Sequence, residues 1–175
     1  MKKVSDIDVQ HYLLKDDGIF PNNKTLPVLL YKSALELEEK EKKAATELEK
    51  TFETNDWKNS WRDGIYDYHH YHSITHEVLG VYSGSVTVQV GGEQGITLEM
   101  KKGDVLIIPA GVAHKKVEAS KDFKCVGAYP GGSDYDMNEG RPGERPHADE
   151  HIGQVKIPDY DPVFGVGGPL FQYWK

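Results

Sequence analysis

One cysteine, Cys125, is all the thiol that 175 residues offer. No intrachain disulfide can form, so the fold must be held by burial, which a chain of this length supplies. Basic charge is short as well: 21 lysines and arginines face 28 acidic residues, a formal charge of −7. Duplex nucleic acid is a poor partner for such a chain, because neutralising phosphates takes basic excess. No run of about 18 apolar residues occurs, which excludes a membrane-spanning helix. The N-terminus reads Met1-Lys2-Lys3-Val4-Ser5-Asp6-Ile7-Asp8, with two acids where an export signal needs its apolar stretch. These absences favour a one-domain cytoplasmic protein. Histidine is what the chain has in excess: eight, with His69, His70, His72 and His76 inside eight consecutive residues. Bulk folding requires no such cluster.

Three textures follow one another along the chain. Residues 1–60 form an N-terminal extension with short apolar pieces, Tyr12-Leu13-Leu14 and Val28-Leu29-Leu30-Tyr31, between turn signals. Ser33-Ala34-Leu35-Glu36 fits a capping box, so a helix is expected to open at Ser33. Leu37, Glu41, Ala44, Leu48 and Phe52 continue it at helical spacing as a narrow apolar stripe among Glu and Lys. A charged helix of this kind is either a partner site or, in the commoner case, a solvated cover on the core. From about Gly64 the period becomes two, with Val86, Val88 and Val90 alternating with Ser85, Thr87 and Gln89. Residues 96–100, 105–108 and 121–129 give further strands, and short strands with glycine turns suggest a sandwich or small barrel over 61–130. Residues 131–175 differ again, since 14 of the 40 residues from 130 to 169 are glycine or proline. Regular structure should be sparse there. Tyr135, Tyr160, Phe164, Phe171, Tyr173 and Trp174 nonetheless punctuate the stretch, and disordered segments are poor in aromatics. An extended arm pinned onto the barrel, or onto a partner subunit in a homodimer, is the expectation.

His70 and His72 are two apart on what should be a strand, so their side chains share a face about 7 Å apart along the backbone. Two imidazoles on one face can converge on one ion at about 2.0–2.1 Å. Glu77 follows after room for a short turn, and His114 arrives from a later strand behind the tight Pro109-Ala110-Gly111 turn. Three imidazoles and one carboxylate suit one divalent transition metal, Fe, Mn, Ni, Zn or Co, whereas softer metals would want thiolates. Positions left open at such an ion are what chemistry on a bound substrate needs.

The spacing carries a resemblance. Gly64, five residues, His70-Tyr71-His72, four residues, Glu77, six residues, Gly84 resembles the first signature of the cupin superfamily (RmlC-like). Gly103, five residues, Pro109-Ala110-Gly111, two residues, His114 resembles the second, 18 residues further on. His70-Tyr71-His72-Ser73-Ile74-Thr75-His76-Glu77-Val78-Leu79-Gly80 is further similar to the YjlB-like group of small bacterial cupins. The resemblance implies an all-β fold with a flanking helix, a double-stranded β-helix or jelly-roll barrel holding a metal inside. His70, His72, Glu77 and His114 fall on the family's ligand positions. One departure is Glu118, where the second signature usually ends in asparagine. Alternation from His114 would turn Lys116 and Glu118 inward together as acid–base candidates, which requires that the charges be paired. A bulge turning both outward is the competing arrangement.

Other residues carry less. His76 has three roles open to it: a ligand, a partner hydrogen-bonded to one, or a solvent-facing side chain. His69 points opposite to His70 and is expected to be structural. Tyr66 and Tyr68 share the parity of His70 and either line the pocket or fill the core. Cys125 is expected to be an inert buried thiol. Arg145, in Pro142-Gly143-Glu144-Arg145-Pro146-His147, either reaches an anionic substrate or sits in a surface loop. His11, His147 and His151 lack a partner at informative spacing. The expected function is a metal-binding protein acting on a small polar metabolite with dioxygenase-like or isomerase-like chemistry. The alternative is a non-catalytic binding or sensing protein, because function lives in the site and not in the fold.

Overall fold

A computed structural model of the chain describes residues 2–3 and 7–175. In chain order it has β1 (Lys2–Lys3), β2 (Asp8–Tyr12), β3 (Val28–Lys32), β4 (Leu35–Glu36), α1 (Glu41–Thr54), β5 (Trp57–Asp63) and β6 (Glu77–Ser83). There follow β7 (Ser85–Val90), β8 (Ile96–Lys101), β9 (Val105–Ile108), β10 (His114–Ala119), β11 (Lys124–Pro130), α2 (His147–Gln154) and α3 (Leu170–Tyr173). A six-stranded antiparallel sheet, ordered β2-β3-β9-β6-β11-β5, faces a three-stranded one, β10-β7-β8, as in a jelly roll. Among the described residues no helix is long and apolar enough to cross a membrane.

The inner strands of the six-stranded sheet, β3, β9, β6 and β11, are buried on both faces. Its inner face sets Leu30, Leu79, Val81, Leu106 and Ile108 against Val86, Val88, Val90, Leu98 and Met100 of the smaller sheet. Its outer face packs Leu29, Tyr31, Val78, Val105 and Ile107 against α1 and the C-terminal tail. Double burial explains why β6 and β9 read as nearly unbroken apolar runs, while β7, half exposed, alternates. Gly80 permits the close approach of α1, since a Cβ there would lie 3.0 Å from both Leu48 and Phe52.

The helix begins at Glu41, not at Ser33. Ser33 takes a positive φ of 51°, and its backbone N–H donates to Asp104 Oδ1 at 2.7 Å. The next residue's N–H donates to Gly103 O at 3.0 Å. The turn before β9, about seventy residues away, therefore claims the Ser33 N–H that a capping box would have bonded to Glu36. Ala44, Ala45, Leu48 and Phe52 form the buried stripe of α1, which covers the core.

The C-terminal segment packs on its own barrel and is more regular than an extended arm. Besides α2 and α3 it is ordered by buried Asp161, which accepts N–H groups of Val163, Phe164 and Leu170 and the Tyr31 hydroxyl. Trp174 is fully buried and donates Nε1–H to Pro27 O at 2.8 Å.

Candidate metal centre

The segment before β6 is held by backbone bonds that include three at its site histidines. His70 and His114 exchange N–H···O=C bonds of 3.2 and 2.9 Å, and the Gly111 N–H donates to His72 O at 2.8 Å. Glu77 opens β6 and His114 opens β10, on facing sheets. His70, His72, Glu77 and His114 are all buried. One ring nitrogen from each of the three histidines lies within 4.8 Å of the others. Glu77 Oε1 is 3.1 Å from His114 Nε2, and its Oε2 is 3.5 Å from His72 Nε2.

The outward nitrogens settle which atoms face the centre. Nδ1 of His70 lies 3.0 Å from Tyr68 O, Nδ1 of His72 2.6 Å from Asp136 O, and Nδ1 of His114 3.1 Å from Val112 O. A carbonyl only accepts, so each Nδ1 carries the proton, and in the neutral ring each Nε2 keeps a lone pair. His114 Nε2 is buried without a hydrogen-bond partner although a carboxylate oxygen stands 3.1 Å away, because two acceptors face each other. Protons on single rings would relieve this one contact at a time. A cation among the three Nε2 atoms and Glu77 relieves all of them, and outward hydrogen bonds of this kind are how metal-binding imidazoles are oriented. The donor set therefore fits a divalent metal.

Charge in this pocket is set by burial against mutual attraction. Burial, then the neighbouring His114, pushes the His70 pKa down to about 3. Burial also disfavours charge on His72, but the Glu77 carboxylate outweighs it and raises the His72 pKa above its ordinary value. Burial works against ionising Glu77 too, yet attraction to His72 and hydrogen bonds from His114 and His72, made when those rings carry a second proton, hold its carboxyl below the usual carboxylate range. Behind Glu77, the Tyr129 hydroxyl donates to Oε2 at 2.9 Å and accepts Trp61 Nε1–H at 2.9 Å. Gly127 leaves room for that tryptophan, since a Cβ there would fall 2.3 Å from the indole ring.

A cavity of about 280 Å³ lies over the centre, walled by residues that include Trp61, Ile65, Tyr66, Leu79, Tyr129, Tyr135 and Met137. Several sequence expectations change here. Lys116 and Glu118 do not line it: the β10–β7 register shifts between them, and Glu118 is exposed in a separate groove. The shift turns Glu118 outward opposite Thr87, whereas Lys116 precedes it, in register with Val88, and is half-buried outside the cavity lining. Tyr66 and Tyr68 are not core residues, being 57% and 39% exposed, and only Tyr66 lines the cavity. His76 is buried but points elsewhere, accepting the Ala110 N–H on Nδ1 at 2.9 Å and donating from Nε2 to Lys156 O at 3.0 Å. Burial lowers its pKa to about 4, in keeping with that neutral tautomer. None of its three anticipated roles applies.

His69 turns away from the centre to Glu93 Oε1, at 2.7 Å. Arg145 is paired with Asp16 and Asp149. Cys125 is buried, and burial pushes its thiol pKa up. His11 stacks on Tyr173, while His147 and His151 stay outside the cavity. Sequence reasoning missed Trp61, Tyr129, Tyr135 and Asp136. Only Tyr129 carried a signal, its shared parity with Cys125 on β11; Asp136 acts through a main-chain carbonyl, which no side-chain pattern announces.

A profile of the cupin domain family matches residues 63–126. Along nearly the whole chain the sequence is 42% identical, over 167 residues, to the "Uncharacterized protein YjlB" of Bacillus subtilis (strain 168), covering 95% of this chain and 97% of that protein. Among solved structures, pumpkin seed globulin aligns with a TM-score of 0.38 and 27% identity over 46% of this chain and 22% of its own. Acireductone dioxygenase from Bacillus anthracis, with a cadmium ion in its active centre, aligns with a TM-score of 0.37 and 16% identity over 51% and 60%. This chain thus spans about a fifth of the globulin and three fifths of the dioxygenase.

Proposed function

Because this chain belongs to the cupin family, as a relative of YjlB over nearly its full length, we propose that it is a metal-binding cupin acting on a small polar metabolite. In this reading His70, His72, His114 and Glu77 hold one divalent transition metal, Fe, Mn, Ni, Zn or Co, at the floor of the cavity. The observation that carries it is the outward anchoring of all three Nδ1–H groups, which leaves three Nε2 lone pairs and one carboxylate aimed at a single point. A divalent ion bound there supplies Lewis acidity and open positions for substrate, and with a redox-active metal also a route to dioxygen.

The chain's own residues then divide the work. Ile65, Leu79 and the aromatic wall exclude water from the floor, which strengthens the electrostatic contacts made there. Glu77 is held toward the three histidines by the Tyr129 hydroxyl, which donates to its Oε2 at 2.9 Å. This supports dioxygenase-like or isomerase-like chemistry. The metal content of untagged protein tests the reading: about one ion per chain is expected, lost in His70→Ala and His114→Ala while the circular dichroism spectrum is retained. Unchanged metal content in both variants would overturn it.

A non-catalytic binding role is favoured by a different observation. Outside the metal centre the charged side chains of the wall are already engaged: Arg62 is tied to Glu49, and the Asp63 carboxylate accepts the Gly64 N–H at 2.8 Å. Oxygen uptake and product analysis across a metabolite panel separate the readings. An oxygenase consumes dioxygen, an isomerase turns over without it, and a binder gives thermal shifts with no product.

A further inference from the structure

The residues at the cavity mouth point to the class of molecule that enters it. Tyr66 is 57% exposed, Tyr135 45% and Met137 40%, and all three line the cavity. Large apolar groups left open to water around a cavity mouth mark a ligand surface. The two tyrosines are also fixed in orientation. Tyr135 stacks on Tyr129 with ring centroids 4.9 Å apart and meets the edge of His72 at 5.0 Å. Tyr66 stacks on Tyr68 at 5.0 Å and meets His70 at 5.3 Å. An aromatic wall thus runs from each of two site histidines out to solvent.

Size and charge narrow the class. A cavity of about 150 Å³ holds benzene, so the 280 Å³ here admits one ring with small substituents. No lysine lines the cavity among the described residues, and the only arginine there, Arg62, spends its guanidinium on Glu49 and on Thr46 Oγ1 at 3.2 Å. Glu77 and Asp63 are the two carboxylates present. Three neutral imidazoles and the Glu77 carboxylate around a divalent ion leave one positive charge, which one phenolate oxygen balances. A further anionic substituent on the ligand would find no cation and would face Asp63.

We propose that the cavity binds a single-ring phenol or catechol without a carboxylate, its oxygen toward the histidines and its ring between the Tyr66 and Tyr135 walls. The oxygen contact rests on the metal reading above; the ring preference does not.

Calorimetric titration of anaerobic, zinc-loaded protein tests this, because zinc has no redox chemistry to consume the probes. 4-Methylcatechol is expected to bind about tenfold or more tighter than trans-1,2-cyclohexanediol, which lacks the aromatic face, and than 3,4-dihydroxybenzoate, which adds a charge. Tyr66→Leu and Tyr135→Leu keep apolar bulk and should each weaken 4-methylcatechol by about three- to tenfold, with zinc stoichiometry unchanged. Equal affinity for the saturated diol, tighter binding of the benzoate, or indifference to both substitutions would overturn the proposal. A wild-type chain that takes up no zinc overturns the metal reading instead. In that case p-cresol against 4-methylcyclohexanol, titrated into the metal-free protein, still reads the ring preference, and equal affinities there would overturn it too.

Discussion

Two histidines six residues apart show how environment divides one residue type into different tasks. His70 and His76 are both buried, and burial lowers the pKa of both. His70 keeps an Nε2 lone pair facing a carboxylate-lined point, whereas His76 has spent both nitrogens on the Ala110 N–H and the Lys156 carbonyl. His76 thereby ties the turn before His114 to the tail, with its ring 4.7 Å from Trp174. His76→Ala leaves the buried Ala110 N–H and the part-buried Lys156 carbonyl unpaired, and a hole beside an indole, at a cost of about 2–4 kcal/mol. Urea denaturation should register that loss while metal content stays at the wild-type level. A variant that loses metal at unchanged stability would place His76 among the ligands after all.

At the scale of elements, the site depends on a segment that belongs to neither sheet. The stretch after β11 supplies Tyr135 and Met137 to the cavity wall and the Asp136 carbonyl to His72 Nδ1. Its position is fixed by the Asp136 carboxylate, which accepts the Ser73 N–H at 2.7 Å, the Ser73 hydroxyl, and an Asn138 side-chain N–H at 2.8 Å. Asp136→Ala releases that clamp and leaves the His72 ring free to turn. Metal affinity, measured by competition with a chelator, should fall about 10- to 100-fold, with the cooperative unfolding transition retained. Asp136→Asn, which keeps one acceptor oxygen, should fall between the two.

The same scale shows what was legible in the sequence. β7, β8 and β9 follow from period and glycine turns, and the spacing of His70, His72, Glu77 and His114 brings together the four side chains that the structure clusters. The start of α1 was hidden because Asp104, distant in sequence, competes for the donor of Ser33. The inward alternation expected after His114 failed at one register shift, which no residue between Lys116 and Glu118 announces. Periodicity reports local preference; both misses are settled by pairing with a distant strand or turn.

Across the whole molecule, one sheet serves two cores, and that couples the tail to the site. β6 presents Leu79 and Val81 to the barrel interior beneath the cavity, and Val78 and Tyr82 to the outer core shared with α1, Leu170 and Trp174. Glu77 begins this strand, so a tail that stops packing on the outer face loosens the strand that carries a site carboxylate. Trp174 is the largest single contribution of the tail, 1% exposed and hydrogen-bonded to Pro27 O. Trp174→Ala should cost about 3–5 kcal/mol, a large share of the 5–15 kcal/mol or so that a domain of this kind has. The loss should show as a lower urea midpoint in one cooperative transition, because the two cores share the β6–β9–β3 strands and cannot melt separately. Light scattering decides between the tail's two anticipated uses. An unchanged mass accompanying the loss of stability is expected of a tail that packs on its own barrel, whereas a halved mass would show that it also holds a second copy.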